Sequence, residues 1–178
     1  MQLRLPHIVD VRRPYDGEIR GYVVARNTHC IVIRELNGFL TDGFVVLPAS
    51  SVTELVINET WTEMIAAEGH SSVASLKPPF VFDNIRTVVD YLITRSINVK
   101  LECENCSGKQ EFGCHFGRVV EKHDLYIDFL FFNSLGRWFD GAYQIPYTSI
   151  TQIVIHSKYV DTFSKYLAPI LKPLQNSG

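Results

Sequence analysis

The sequence predicts a mainly β protein with α additions: two tandem five-stranded small barrels, each followed by a short helix, with one amphipathic helix between them. Two observations carry this expectation. The stretch Asp42-Gly43-Phe44-Val45-Val46-Leu47-Pro48-Ala49-Ser50-Ser51-Val52-Thr53-Glu54-Leu55-Val56-Ile57 returns as Asp140-Gly141-Ala142-Tyr143-Gln144-Ile145-Pro146-Tyr147-Thr148-Ser149-Ile150-Thr151-Gln152-Ile153-Val154-Ile155. Asp, Gly, Pro, Ser, Thr, Val and Ile recur at the same offsets, and such self-similarity governs how every single element is read. Gly21-Tyr22-Val23-Val24 and Gly117-Arg118-Val119-Val120 extend the match, so it spans most of both halves. The second observation is density. Five short strands fall within about fifty residues with no helix between them, the pattern of a small closed or nearly closed barrel.

Residues 1–69 form the expected first barrel, 70–82 a linker, and 83–178 a helix plus the second barrel. In the first half, Ile8 to Val11 is an apolar run and Pro14-Tyr15-Asp16-Gly17 a turn, since Asp-Gly supplies positive φ. Ile19 to Ala25 and Cys30 to Leu36 read as strands. Asn37-Gly38 is the strongest short hairpin signal of the chain. Phe39 to Leu47 follows as a strand through Asp42-Gly43, where a strand glycine points to a bulge or bend. Pro48 to Ser51 is a sharp connection, Val52 to Ile57 a final strand, and Trp61 to Ala67 a short helix ended by Gly69.

The linker is read from His70-Ser71-Ser72-Val73-Ala74-Ser75-Leu76-Lys77-Pro78-Pro79. After Asp83 or Asn84 as cap, Ile85, Val88, Val89, Leu92 and Ile93 fall at helical spacing on one face. The second half then repeats the scheme: strands over Val99–Cys103, Phe112–Val120, Leu125–Phe132, Arg137–Ile145 and Ile150–Ile155, and a closing helix over Tyr159–Leu167.

Composition bounds the function. Of 178 residues 46% are hydrophobic and 20% charged, ordinary for a folded protein, and the net charge of −2 offers no global field for phosphate backbones. No apolar run approaches the roughly 20 residues of a membrane helix. Met1 to Pro6 lacks the apolar core of a signal peptide, so a cytoplasmic protein is expected.

The order of bent, glycine-containing strand, strand, hairpin, strand, short turn and strand resembles the Sm-like barrel, over Phe82 to Ile155 and more loosely Ile8 to Ile57. Tandem copies with a Gly-x-Val-Val … Asp-Gly … Ser-[Val/Ile]-Thr pattern also look like uncharacterised bacterial proteins. The resemblance implies an SH3-like small barrel, a fold that hosts many activities. Sm proteins hold RNA with an Asn on the third strand and an Arg-Gly pair before the fifth. Here those places fall near Val32 or Asp128, and on Leu47-Pro48-Ala49-Ser50 and Ile145-Pro146-Tyr147-Thr148. The RNA-binding donors are missing, so that site is not carried over.

Three groups of residues could carry chemistry. Cys103-x-x-Cys106 with Cys114 resembles half a zinc site, but a structural site needs four ligands. The preferred reading is Cys103 and Cys114 as small cross-strand residues and Cys106 as a turn thiol. The repeat-equivalent residues Asp42, Gly43, Pro48, Ser51, Thr53, Asp140, Gly141, Pro146, Ser149 and Thr151 read as structural turn and bend formers. The histidines share no metal spacing and read as exposed strand-end or loop residues. Tyr126, Phe129, Phe131, Phe132, Trp138, Phe139 and Tyr143 crowd the second barrel, and alternation places about half of them outside.

Neither half shows a nucleophile–base pair, a phosphate loop or a complete metal set. The expectation is a non-enzymatic binding or scaffolding module without cofactor. The alternative is RNA or single-stranded nucleic-acid binding through barrel edges and aromatics. The strands Val52–Ile57 and Ile150–Ile155, rich in β-branched residues with Glu54 the only formal charge, are expected at open edges. They suit an internal contact between the halves first and a homodimer second, ahead of a closed ring.

Overall fold

The computed structural model describes residues 7–14, 18–68, 77–104 and 113–167. Its strands are β1 (Ile8–Arg12), β2 (Ile19–Arg26), β3 (Cys30–Asn37), β4 (Leu40–Pro48), β5 (Glu54–Ile57), β6 (Asn98–Cys103), β7 (Gly113–Lys122), β8 (Tyr126–Phe131), β9 (Tyr143–Pro146) and β10 (Ile150–Ile155). The helices are α1 (Glu59–Ala67), α2 (Ile85–Arg95) and α3 (Lys158–Ser164). The protein is mainly β, and its strands join in one antiparallel sheet of order β5-β1-β2-β3-β4-β10-β6-β7-β8-β9. The expectation of two barrels thus meets a single sheet. Within it, the first five strands and the last five follow the same order, and β4 pairs with β10 to join the sets.

Matching local devices sit at matching places in the two sets. The β2–β3 pairing shifts register between Val23 and Ala25, and β7–β8 between Val119 and Glu121. A Cβ on Gly21 would stand 2.2 Å from the Arg34 carbonyl oxygen, and one on Gly117 2.1 Å from that of Leu130. Only glycine lets the bent strands approach so closely. Ser51 Oγ donates to the Pro48 carbonyl and Ser149 Oγ to that of Pro146, each at 2.8 Å, closing the short 3-10 turns before β5 and β10.

The apolar runs explain the layering. Ile31, Ile33, Val45 and Leu47 enter one core with Val9, Val11, Ile19 and Val154. Their neighbours Cys30, Val32, Phe44 and Val46 enter a second core with Leu101, Ile127, Phe129 and Ile153. Strands β3 and β4 are therefore covered on both faces, which is why they read as unbroken apolar runs rather than alternating ones.

Helix α2 covers the second core with Val88, Val89 and Leu92, the expected stripe. Asn84 caps it in a reciprocal capping box with Thr87, and Ser96 ends it in the left-handed conformation at φ 51°. Asn58 caps α1 and Ser157 caps α3. Among the described residues no helix is long and apolar enough to cross a membrane.

Three expectations change. The strand Arg137–Ile145 shortens to Tyr143–Pro146, because Asn133 Oδ1 accepts the Leu135 and Arg137 N–H groups and folds that stretch into a turn. The closing helix starts at Lys158 and ends at Ser164. Most consequentially, β10 is no edge: β4 and β6 flank it, and all six of its residues are buried.

Candidate binding site

The seam between the strand sets gathers the polar chemistry. On β4, Asp42 and Gly43 together oppose the single residue Glu35 of β3, since Arg34 pairs with Phe44 and Leu36 with Thr41. The bulge that a strand glycine announces is therefore present at Asp42-Gly43. Glu35 and Asp42 beside it line a cleft of about 320 Å³. Lys100 of β6, Cys114 and Phe116 of β7, Val154 of β10, and Ser157 and Tyr159 at the start of α3 complete the lining. The volume lies at the small end of the range for ligand sites, about 300–1,000 Å³.

Charges in the cleft are unevenly satisfied. Lys100 Nζ lies 2.6 Å from Glu102 Oε1, and both terminal nitrogens of the buried Arg13 lie 3.3 Å from Glu102 Oε2. One carboxylate thus takes up two cations. Asp42 Oδ1 accepts the backbone N–H groups of Gly43 at 2.8 Å and Lys158 at 2.6 Å, tying the bulge to the start of α3. Glu35 differs. Burial pushes its carboxyl up from the ordinary value, Lys100 opposes the shift, and the charges of Asp42 and Glu102 add to it. Among the described residues no donor or ion pair holds it. Burial also raises the Cys114 thiol, against the charge of Lys100.

The other residues singled out in the sequence fall into place around this seam. Pro48 and Pro146 accept the serine bonds described above; Thr53 Oγ1 donates to the Arg12 carbonyl at 2.9 Å and Thr151 Oγ1 to that of Glu102 at 3.2 Å. All are turn and strand-start bonds. Asp140 and Gly141 are exposed, and Gly141 takes φ 82° in open space.

Cys106 lies outside the described residues. Cys103 pairs with Gly113 and is buried in the second core, whereas Cys114 pairs with Glu102 on the opposite face. The two thiols face apart, so the cross-strand pairing expected for them does not form.

The histidines include one grouping that spacing did not reveal. Ligand atoms of Glu121, His123 and Asp128 lie within 4.8 Å of one another, with His123 Nε2 2.9 Å from Asp128 Oδ2. These are metal-ligand types, but Glu121 is exposed and the His–Asp pair is an ordinary cross-hairpin contact. Of the crowded aromatics, Phe129 and Phe132 are buried, while Phe139 and Tyr143 are exposed.

Sequence reasoning missed Glu35, Lys100, Glu102 and Arg13 as a group. They come from three separate segments, β3, β6 and the end of β1, and only the β4–β10 pairing assembles them. Comparison of the chain with family models, curated proteins and solved structures finds no match.

Proposed function

We propose that the chain is a non-enzymatic binding and scaffolding module, made of two Sm-like, SH3-like barrels fused edge to edge, that recruits further copies of itself through its remaining edges. The repeated strand order, matching register shifts and matching glycine contacts support the two-barrel reading. One observation carries the function. The β4–β10 seam leaves β5 and β9, counterparts of β10 and β4 in the two sets, at the ends of the sheet.

At the seam Val45, Val46, Ile153 and Ile155 are fully buried; at the ends Ile57 and Tyr143 stand 56% and 52% exposed. Unpaired strand edges bearing apolar side chains recruit further strands. The seam pairs Ile153 with Val46 and Val154 with Val45. Repeated between molecules, that register sets Leu55 of one copy against Gln144 of another, and Val56 against Tyr143.

Light scattering over a concentration series tests this. The expected mass is two or more chains per particle, and Ile57→Lys or Tyr143→Lys lowers it by placing a charge on the edge. A one-chain mass at every concentration overturns self-recruitment. Filter binding of labelled RNA across a salt series addresses the alternative: tight binding with a steep salt slope replaces scaffolding by nucleic-acid recognition.

A further inference from the structure

The cleft at the seam has features that packing alone does not require. Glu35 is half-buried on a bulge-distorted strand and receives no hydrogen bond from the described residues, although a desolvated carboxylate without a donor is costly. The nearby cations are committed elsewhere: Lys100 and Arg13 to Glu102, and Arg34 to the ring of Phe44 at 4.6 Å. The same cleft is lined by the rings of Phe116 and Tyr159, with centroids 5.2 Å apart and planes inclined at 46°. Tyr159 also packs on Phe163 at 4.7 Å, which restrains its ring. Ring faces attract cations and accept alkyl chains with equal ease.

We propose that this cleft binds a small organic cation, an ammonium or guanidinium group on a short alkyl stem. The head bonds Glu35 and the stem lies against Phe116 and Tyr159. Asp42 reinforces the field while its Oδ1 stays bonded to the start of α3. An anion is repelled by Glu35 and Asp42, and a neutral alcohol gains only the stem contacts. The inference is independent of self-recruitment, since the lining comes from β3, β4, β6, β7, β10 and the start of α3 and involves neither free edge.

Amide-resolved NMR titration of the full chain tests it, with butylammonium, butylguanidinium, butanol and butyrate as probes at constant ionic strength. The two cations are expected to shift the amides around Glu35, Asp42, Lys100 and Phe116 with saturation, and to bind about tenfold more tightly than butanol, as a charge-assisted bond implies. Glu35→Gln removes about that tenfold advantage, and Glu35→Asp retains part of it. Tyr159→Ala, at an exposed position, weakens the cations a few-fold. Equal shifts from butanol and butyrate overturn the proposal. So does undiminished cation binding by Glu35→Gln whose amide spectrum otherwise overlays that of the parent.

Discussion

Strands β5 and β10 come from matching sequence and meet opposite fates. β10 lies between β4 and β6 with every residue buried, whereas β5 ends the sheet with Glu54 and Ile57 exposed. The two Asp-Gly pairs diverge in the same way. Gly43 is buried at the seam, where a Cβ would stand 2.6 Å from the Ile155 carbonyl oxygen and 2.7 Å from the Ser157 nitrogen. Gly141 keeps open space and serves only its positive φ. At a third matching place, opposite Gly21 and Gly117, the first set carries Glu35 and the second Phe131. Phe131 packs among His115, Phe129 and Tyr143, while Glu35 faces the cleft. For the fifth strands and the Asp-Gly pairs, place in the sheet rather than residue type decides burial, whereas at the third place the residue itself differs.

The largest effect separates the two fifth strands. Ile153→Ala deletes a fully buried side chain next to the seam and is expected to cost about 4 kcal/mol, against about 1 kcal/mol for Leu55→Ala on β5. Urea unfolding measures both, and equal losses would mean that the seam contributes nothing special. The glycines come next. Gly43→Ala forces backbone apart at the junction and is expected to cost about 3 kcal/mol. Gly141→Ala meets no neighbour and pays only left-handed strain of about 1 kcal/mol.

Those contrasts mark what the sequence could say. Asn37-Gly38, the Asp42-Gly43 bulge and the apolar stripe of α2 are local signals with local causes, and each appears where it is read. The edges are not local. Val52–Ile57 and Ile150–Ile155 look alike as strings, and only the partner chosen by β4 distinguishes an edge from a central strand. Glu54 in β5, where β10 carries the uncharged Gln152, is the one trace of that difference. The cleft was illegible for the same reason, because Glu35 and Lys100 are separated by most of a strand set and meet only across the seam. Cys103 and Cys114 show the converse, since they are close in sequence and strand alternation turns them to opposite faces.

A smaller effect distinguishes the aspartates. Asp42→Ala strips the acceptor from the Gly43 and Lys158 N–H groups and is expected to cost about 1 kcal/mol, the usual worth of a capping acceptor. Asp140→Ala, at an exposed turn, is expected to change stability by less than about 0.5 kcal/mol. Thermal melts of the two variants side by side suffice, and a larger loss at Asp140 would reverse the assignment of the junction role.

The last contrast is one of sign and concerns Glu35 and Asp10, two carboxylates of the first strand set. Burial pushes Asp10 up, but bonds from Arg20 and Asn58 and the charges of Arg20 and Arg12 outweigh it and hold its carboxyl below the ordinary value. The folded state therefore binds the Asp10 proton more weakly than the unfolded chain does. Asp10 adds stability above the unfolded value of about 3.9, and that stability fades as pH falls toward the folded one. Glu35 works the other way. Its carboxyl is raised by burial, so folding favours the protonated form. Below the unfolded value of about 4.3 the group is protonated in both states and adds no penalty. As pH climbs past that value, the unfolded chain releases its proton more readily, and the folded state loses ground up to the raised value and stays behind above it. Glu35→Gln is accordingly expected to be more stable than the parent at pH 7 and indistinguishable from it near pH 3, whereas Asp10→Asn is less stable at pH 7. Urea midpoints at the two pH values check both signs. A Glu35→Gln midpoint below the parent's at pH 7 would show that the carboxylate is held by a donor and that the cleft has no unmet demand for a cation.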